Sequence, residues 1–262
     1  MRAPAALLAA ALCLPAGAAA PPLGLRLDLP ATLGITGLAL AGTLASVLLR
    51  TELAPRECRI CGVNALDTSL RDALRWKDSA AADGASDALV AGVPVLTAGT
   101  LAFSGWQAGG ARTAAEDLLI AGQAVSVSIL VTQVARYSFG RACPYAWADP
   151  SAAREPSAFL SLWSGHTSAA FAAATAPASV ARLRGYRSWP WILGVGLAGA
   201  SACGWMRIAA DRHWTTDVVA GAAIGSLVGF GLPALLHGRT GGGTGAGGAR
   251  LTALPFTVAG TF

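Results

Sequence analysis

Apolar residues in this chain come in long blocks, not in alternation. Beyond the first twenty residues, six segments of helix length are dominated by Ala, Leu, Val, Ile and Gly: 31–50, 86–105, 115–136, 165–183, 188–206 and 215–237. Each approaches the roughly 20 apolar residues that cross the hydrocarbon of a bilayer. The pattern predicts an all-α protein, a six-helix transmembrane bundle occupying residues 21–238. A signal-like segment (1–20) precedes it and a flexible Gly-rich tail (239–262) follows it. Stretches such as "SAAFAAATAPASV" and "VVAGAAIGSLVGFG" are rich in small residues, which let helices approach closely in lipid. Trp163, Trp189, Trp205 and Trp214 fall near the expected helix ends, where interfacial tryptophans collect. Pro177 is expected to bend its segment.

Composition sharpens this picture. Only 13% of the 262 residues are charged and 54% are hydrophobic, against about 25% charged in a soluble domain. A chain of this length has too small a core to hide so much apolar surface, so lipid is the favoured solvent. A soluble Ala-rich bundle is the competing class. The net charge of +5 suits anionic headgroups or phosphorylated substrates. No basic stripe interleaved with aromatics appears, which argues against nucleic acid as a partner. The first twenty residues carry Arg2, an apolar run and an Ala-x-Ala ending at Ala20, as a secretory signal does. Pro21 makes an awkward cleavage point, and an uncleaved anchor is the alternative.

The polar residues are not scattered. Successive spanning helices alternate direction. The end of the third segment, the start of the fourth, the end of the fifth and the start of the sixth therefore share one membrane face. That face collects Arg136, Arg141, Ser164, Gly165, His166, Arg207, His213 and Asp217. Each has a use in phosphate chemistry. His213 and Asp217 are spaced i, i+4 and can meet on one helical face. A carboxylate on one imidazole nitrogen sets the tautomer and frees the other nitrogen to attack. Ser164 suits a helix N-cap, Gly165 permits close backbone approach, and a helix N-terminus with free N–H groups binds phosphate. His166, in the first turn, can act as a general acid. Arg136, Arg141 and Arg207 can clamp phosphoryl oxygens. Each feature alone is ordinary, and the convergence gives it weight.

These residues resemble the motifs of the type 2 phosphatidic acid phosphatase superfamily, which also holds bacterial acid phosphatases and vanadium haloperoxidases. That family carries K-x6-R-P, then P-S-G-H, then S-R-x5-H-x3-D. Here the third motif is "MRIAADRHWTTD", with Arg207, His213 and Asp217 in register, and the second is "WSGH", with Ser164, Gly165 and His166 in register. The first is degraded: "RYSFGRACP" puts Arg136 at the lysine, Cys143 at the arginine and Pro144 at the proline. The resemblance implies that His213 is the nucleophile of a phosphohistidine mechanism, that Asp217 orients it and that His166 protonates the leaving oxygen. Arg136, Arg207, Ser164 and Gly165 would bind the phosphoryl group, with no metal or other cofactor needed in the phosphatase members. The implied substrate is a lipid phosphate or diphosphate, with membrane lipids as the surroundings.

The departures matter. Cys143 removes one phosphate ligand, and loss of such a charge-assisted contact costs a few kcal/mol of transition-state binding. It also argues against a vanadate-dependent branch. Arg141, two residues away, is the expected compensation. The same loss motivates a second reading, a non-catalytic lipid-phosphate-binding membrane protein, against which the intact histidines weigh. Cys58 and Cys61 form a lone CxxC without partners for zinc; a disulfide, local or to Cys143, requires an oxidising face. Orientation signals conflict. The short "RLRGYR" loop (182–187) is basic and therefore inward by the positive-inside rule. The long loop on the catalytic face is basic too. The expectation is an inner-membrane protein whose site faces the periplasm.

Overall fold

The computed structural model describes residues 22–240. The signal-like segment 1–20 and the tail beyond residue 240 lie outside the described residues. Among those described, the chain is all-helical, with eight α-helices and no strand. They are α1 (Leu29–Leu48), α2 (Arg50–Leu53), α3 (Ala65–Leu74), α4 (Ser79–Phe139), α5 (Pro144–Ala148), α6 (Gly165–Arg184), α7 (Trp189–Ala209) and α8 (Thr215–Leu236). A 3-10 turn, Pro150–Arg154, follows α5.

Helix starts follow side-chain chemistry. Asp28, Asn64, Asp78 and Ser164 each cap a helix by accepting a hydrogen bond from a first-turn N–H, those of Ala31, Asp67, Ala81 and Thr167. Gly140 and Gly185 end α4 and α6 in the left-handed conformation, at φ 60° and 80°.

Four of the described helices, α1, α4, α7 and α8, are long and apolar enough to cross a membrane. The expected count of six is not reproduced, for two reasons. Segments 86–105 and 115–136 are both carried by α4, a 61-residue helix interrupted at Gly110 (φ 79°, ψ −171°). Its arms fold back on each other, because a Cβ on Gly105 would lie 2.9 Å from Asp117 Oδ2 and 3.0 Å from Ala114 Cα. Segment 165–183 forms α6, but its Ser, Thr, His and Arg content lowers its hydropathy. Pro177 lies buried within α6, which continues to Arg184.

Packing inverts the pattern of a water-soluble bundle. The interior is rich in Ala and Gly, with buried hydroxyls among them. Along α8, Gly221, Gly225 and Gly229 lie against the backbone of α6; a Cβ on Gly221 or Gly229 would sit 2.8 Å from the carbonyl oxygen of Ser164 or Ala172. Hydroxyls tie the helices together: Thr97 Oγ1 donates to Ala173 O (2.8 Å), Thr132 Oγ1 to Ser168 Oγ (3.0 Å) and Ser179 Oγ to Phe230 O (2.8 Å). Such contacts stabilise helix pairs where water offers no competing partner. The exterior is large and apolar. Leu38 and Val95 are each 72% exposed, and Leu48, Leu96, Trp191, Val219, Leu227 and Leu235 are exposed beside them. Apolar surface of this extent needs lipid around it, as in an integral membrane protein.

The two ends of α6 mark the two faces. At its C-terminal end, Arg184 is buried against Asp117 (2.6 Å) and Glu116 (3.0 Å), and Tyr186 donates to Asp117 (2.7 Å). Both ends of the described chain lie here: Leu23 N donates to Arg184 O, and Thr240 N to Gly24 O. At its N-terminal end, about 30 Å away by helix rise, lie both motif histidines.

Candidate active site

The α7–α8 turn presents His213. After Ala209 the chain reverses through Asp211, a non-glycine residue at φ 61°. Arg71 holds that residue with a two-pronged ion pair, Nε and Nη2 to the carboxylate at 2.6 and 2.7 Å. Such a fork is a strong, directional contact. Trp214, fully buried, donates its indole N–H to Ala142 O (2.8 Å), and Trp147 packs edge-on against it at 5.7 Å. The turn is thereby pinned to the loop that carries Arg141 and Cys143.

His213 does not sit on α8, which begins at Thr215. Its Nδ1 lies 2.9 Å from Ser161 O. A carbonyl only accepts, so Nδ1 carries the proton and Nε2 has the lone pair. Among the described residues Nε2 has no hydrogen-bond partner, and the ring borders a cavity of about 240 Å³. Burial, then the positive fields of Arg207 and Arg136, hold its pKa well below the ordinary imidazole value. The ring is therefore neutral at physiological pH and can act as a nucleophile.

The expected helical pairing of His213 with Asp217 is absent among the described contacts. Asp217 is fully buried and accepts from Ser161 Oγ (2.5 Å), Arg141 Nη1 (2.5 Å) and Trp214 N (3.0 Å). Its carbonyl accepts from Ser164 N (3.1 Å). The carboxylate thus holds Ser161, whose carbonyl orients His213, together with the two segments that flank the site. The i, i+4 expectation fails because His213 precedes the helix.

Arg141 is not brought to the cavity. It is buried, and its guanidinium spans Asp67 (2.8 Å), Asp217 (2.5 Å) and Thr216 Oγ1 (2.8 Å). Its expected role as substitute phosphate ligand is corrected on this geometry, since its Nη1 and Nη2 are committed to the carboxylates. Asp67, on α3, also accepts from Thr216 N (2.9 Å) and Oγ1 (2.7 Å). Burial pushes the Asp67 carboxyl up, but the bonds from Thr216 and Arg141 outweigh it and hold it below the ordinary value.

Two of the expected arginines do line the cavity. Arg136, at the end of α4, donates Nε to Leu160 O (2.9 Å) and Nη1 to Gln133 Oε1 (3.2 Å). Arg207 pairs through Nη1 with Asp83 and Ser86 Oγ, and its buried Nε has no partner among the described residues. His166 enters from the first turn of α6, with Nε2 2.8 Å from Asp87 Oδ1. Ser164 is fully buried and bonded to Thr167, so it shapes the helix start instead of facing the cavity. A Cβ on Gly165 would lie 3.4 Å from Arg136 Nη1, so the bare backbone there leaves room for that guanidinium.

Several lining residues escape the sequence motifs: Arg50, Asp83, Asp87, Tyr145 and Arg212. Arg212 pairs with Asp83 (2.9 Å) and lies over the Tyr145 ring at 5.3 Å. Its position next to His213 was the one available signal. Cys143 lines the cavity as a free thiol, 3.4 Å from Ser157 O, and burial pushes its pKa up to about 11. The open cysteine question resolves as a local disulfide, Cys58–Cys61. Its loop lies on the catalytic face, where Arg59 N donates to Gly140 O and Ala142 N to Ile60 O.

A neutral imidazole nitrogen, unpartnered and flanked by guanidinium groups, is suited to attack an anionic phosphorus centre, with a second histidine across the cavity for proton transfer. The model of the PAP2 superfamily matches residues 117–240. A lipid A 1-phosphatase of Porphyromonas gingivalis is 45% identical over 95 residues, which are 36% of this chain and 18% of that protein. The match thus spans less than a fifth of that relative. No solved structure matches the chain. The region matched by the PAP2 superfamily model, 117–240, holds both motif histidines, Arg136, Arg207 and Asp217.

Proposed function

We propose that this chain is a membrane-bound phosphatase that cleaves a lipid phosphomonoester through a phosphohistidine on His213. One observation carries the reading: Nδ1–H is held by the Ser161 carbonyl while the neutral Nε2 borders a cavity shared with Arg136, Arg207 and His166. In the first step Nε2 attacks phosphorus and the P–O bond to the lipid breaks. His166 gives its proton to the departing oxygen. In the second step water attacks the phosphohistidine, the N–P bond breaks, and His166 takes the proton of that water. Arg136 and Arg207 neutralise the phosphoryl oxygens throughout. Asp217 acts at one remove, through Ser161. A phosphorylated saccharolipid is the first substrate to try, because the similar stretch belongs to a lipid A 1-phosphatase.

The six apolar segments are proposed as six crossings, the two arms of α4 and the more polar α6 supplying three of them. An outward, periplasmic site is supported by the Cys58–Cys61 disulfide, which lies on the catalytic face and persists only in an oxidising compartment. In that orientation Leu23 and Arg239 lie on the inner side.

The test is phosphate release by purified protein in detergent, from a panel of lipid phosphates, beside His213→Ala. Acid-labile, base-stable radiolabel on the protein after quenching with a labelled substrate would mark the intermediate. No release and no label across the panel, from folded wild type, would leave the non-catalytic binding reading in its place.

A further inference from the structure

We infer that Arg50 supplies the phosphoryl-binding guanidinium that this chain lacks at Cys143. The inference rests on the phosphatase reading above. Four arginines border the cavity: Arg50, Arg136, Arg207 and Arg212. Three are engaged by protein groups. Arg136 bonds Leu160 O and Gln133, Arg207 bonds Asp83 and Ser86, and Arg212 bonds Asp83. The Arg50 guanidinium has no hydrogen bond or ion pair among the described residues, although the residue lies at the same cavity as His213 and Cys143.

Its position is set by tertiary structure. Arg50 opens α2, directly after Leu49 ends α1. The last turns of α1 are docked on the second arm of α4: Tyr137 Oη donates to Ser46 O (2.6 Å), and a Cβ on Gly42 would meet Leu130 Cδ1 at 2.8 Å. Tyr137 is the neighbour of Arg136, so the contact that holds α1 also places Arg50 beside the phosphate-facing end of α4. Cys143 cannot take the role of a cationic ligand, because a buried thiol is neutral and its Sγ faces Ser157 O. Arg50 is exposed and carries a long, mobile side chain, so it approaches a phosphoryl oxygen from the cavity mouth. An unpaired guanidinium is free to make a two-pronged contact without first breaking an internal one.

The experiment compares wild type, Arg50→Ala, Arg50→Lys, Cys143→Arg and the Arg50→Ala/Cys143→Arg double variant, full-length in detergent. It measures kcat/KM for a lipid phosphate, inhibition by orthovanadate and the melting temperature. Arg50→Ala is expected to lower kcat/KM by about 10- to 100-fold and to weaken vanadate inhibition in parallel, with the melting temperature unchanged. Arg50→Lys keeps the charge and recovers part of the loss. Cys143→Arg restores most of the activity in the Arg50→Ala background. Wild-type activity and vanadate sensitivity in Arg50→Ala would overturn the inference while leaving the phosphatase reading intact. So would a folded double variant no better than Arg50→Ala. Absence of phosphate release and vanadate binding in wild type would overturn both. Should Cys143→Arg fail to fold, the Ala and Lys variants with vanadate still decide.

Discussion

Arg141→Ala is expected to destabilise the protein without removing a substrate contact. Arg141 is 7% exposed, and its guanidinium bridges two fully buried carboxylates, Asp67 and Asp217. Removing one partner of a buried ion pair costs about 3–5 kcal/mol, because the remaining charge is left uncompensated. Here the lower end applies. Asp67 keeps its bonds from Thr216 and Asn64, and Asp217 keeps those from Ser161 and Trp214. At roughly 2–4 °C per kcal/mol for a chain of this size, a loss of about 3 kcal/mol lowers the melting temperature by roughly 6–12 °C. Removing Asp67 as well relieves one stranded charge, so Arg141→Ala/Asp67→Ala should melt above Arg141→Ala. Thermal unfolding of purified protein in detergent, paired with kinetics well below the melting range, reads both quantities. The loss of turnover should fall on kcat, because Asp217 holds Ser161 and Ser161 holds His213, with KM near that of wild type. An unchanged melting temperature with a many-fold rise in KM would refute the argument and return Arg141 to the phosphate.

Other expectations follow from the same geometry. Gly225→Ala places a methyl group against the Ser168 carbonyl and should cost about 1–3 kcal/mol by overpacking; a melting temperature equal to wild type would show that α6 and α8 can separate freely. His213 has a folded pKa below its unfolded value near 6.5, so the unfolded chain takes up a proton first. Its contribution to stability is full above about pH 6.5 and is lost as the pH falls toward the depressed folded value. His213→Gln should therefore flatten the decline of the melting temperature between about pH 7 and pH 5, and an unaltered slope would contradict a neutral buried ring. Cys203 is a fully buried free thiol, so alkylation should reach it only on unfolding. Cys58 and Cys61 should stay unlabelled until a reductant is added, and labelling of native protein at either would remove the disulfide.

Much of the helical architecture was legible along the chain. Apolar runs locate α1, both arms of α4, α7 and α8, because an α-helix registers its burden of apolar residues within a few turns. Ser164 as a cap depends on a neighbour three residues away, Thr167. The resemblance to the PAP2 superfamily was legible from side chains in register, Arg207, His213 and Asp217 above all, and the family's model matches residues 117–240 around them. Convergence of the histidines on one face followed from the alternating direction of successive spans.

Contacts across long sequence separations were not legible. The i, i+4 spacing of His213 and Asp217 pointed to a direct bond, but the partner of His213 proved to be a backbone carbonyl 52 residues away, at Ser161. A carbonyl is present at every position, so no residue type announces it. Arg141 stood near the phosphate motif in sequence, yet Asp67, 74 residues away, and Asp217 capture it, since two buried carboxylates attract a guanidinium more strongly than an open cavity does. Gly110 looked like one glycine among many until its positive φ marked the reversal within α4. Local sequence determined which segments are helical and which side chains carry chemistry. Tertiary packing alone decided which of those side chains face the cavity, because that depends on how α1, α3 and α6 dock, and docking is set by shape and buried charge summed over the whole bundle.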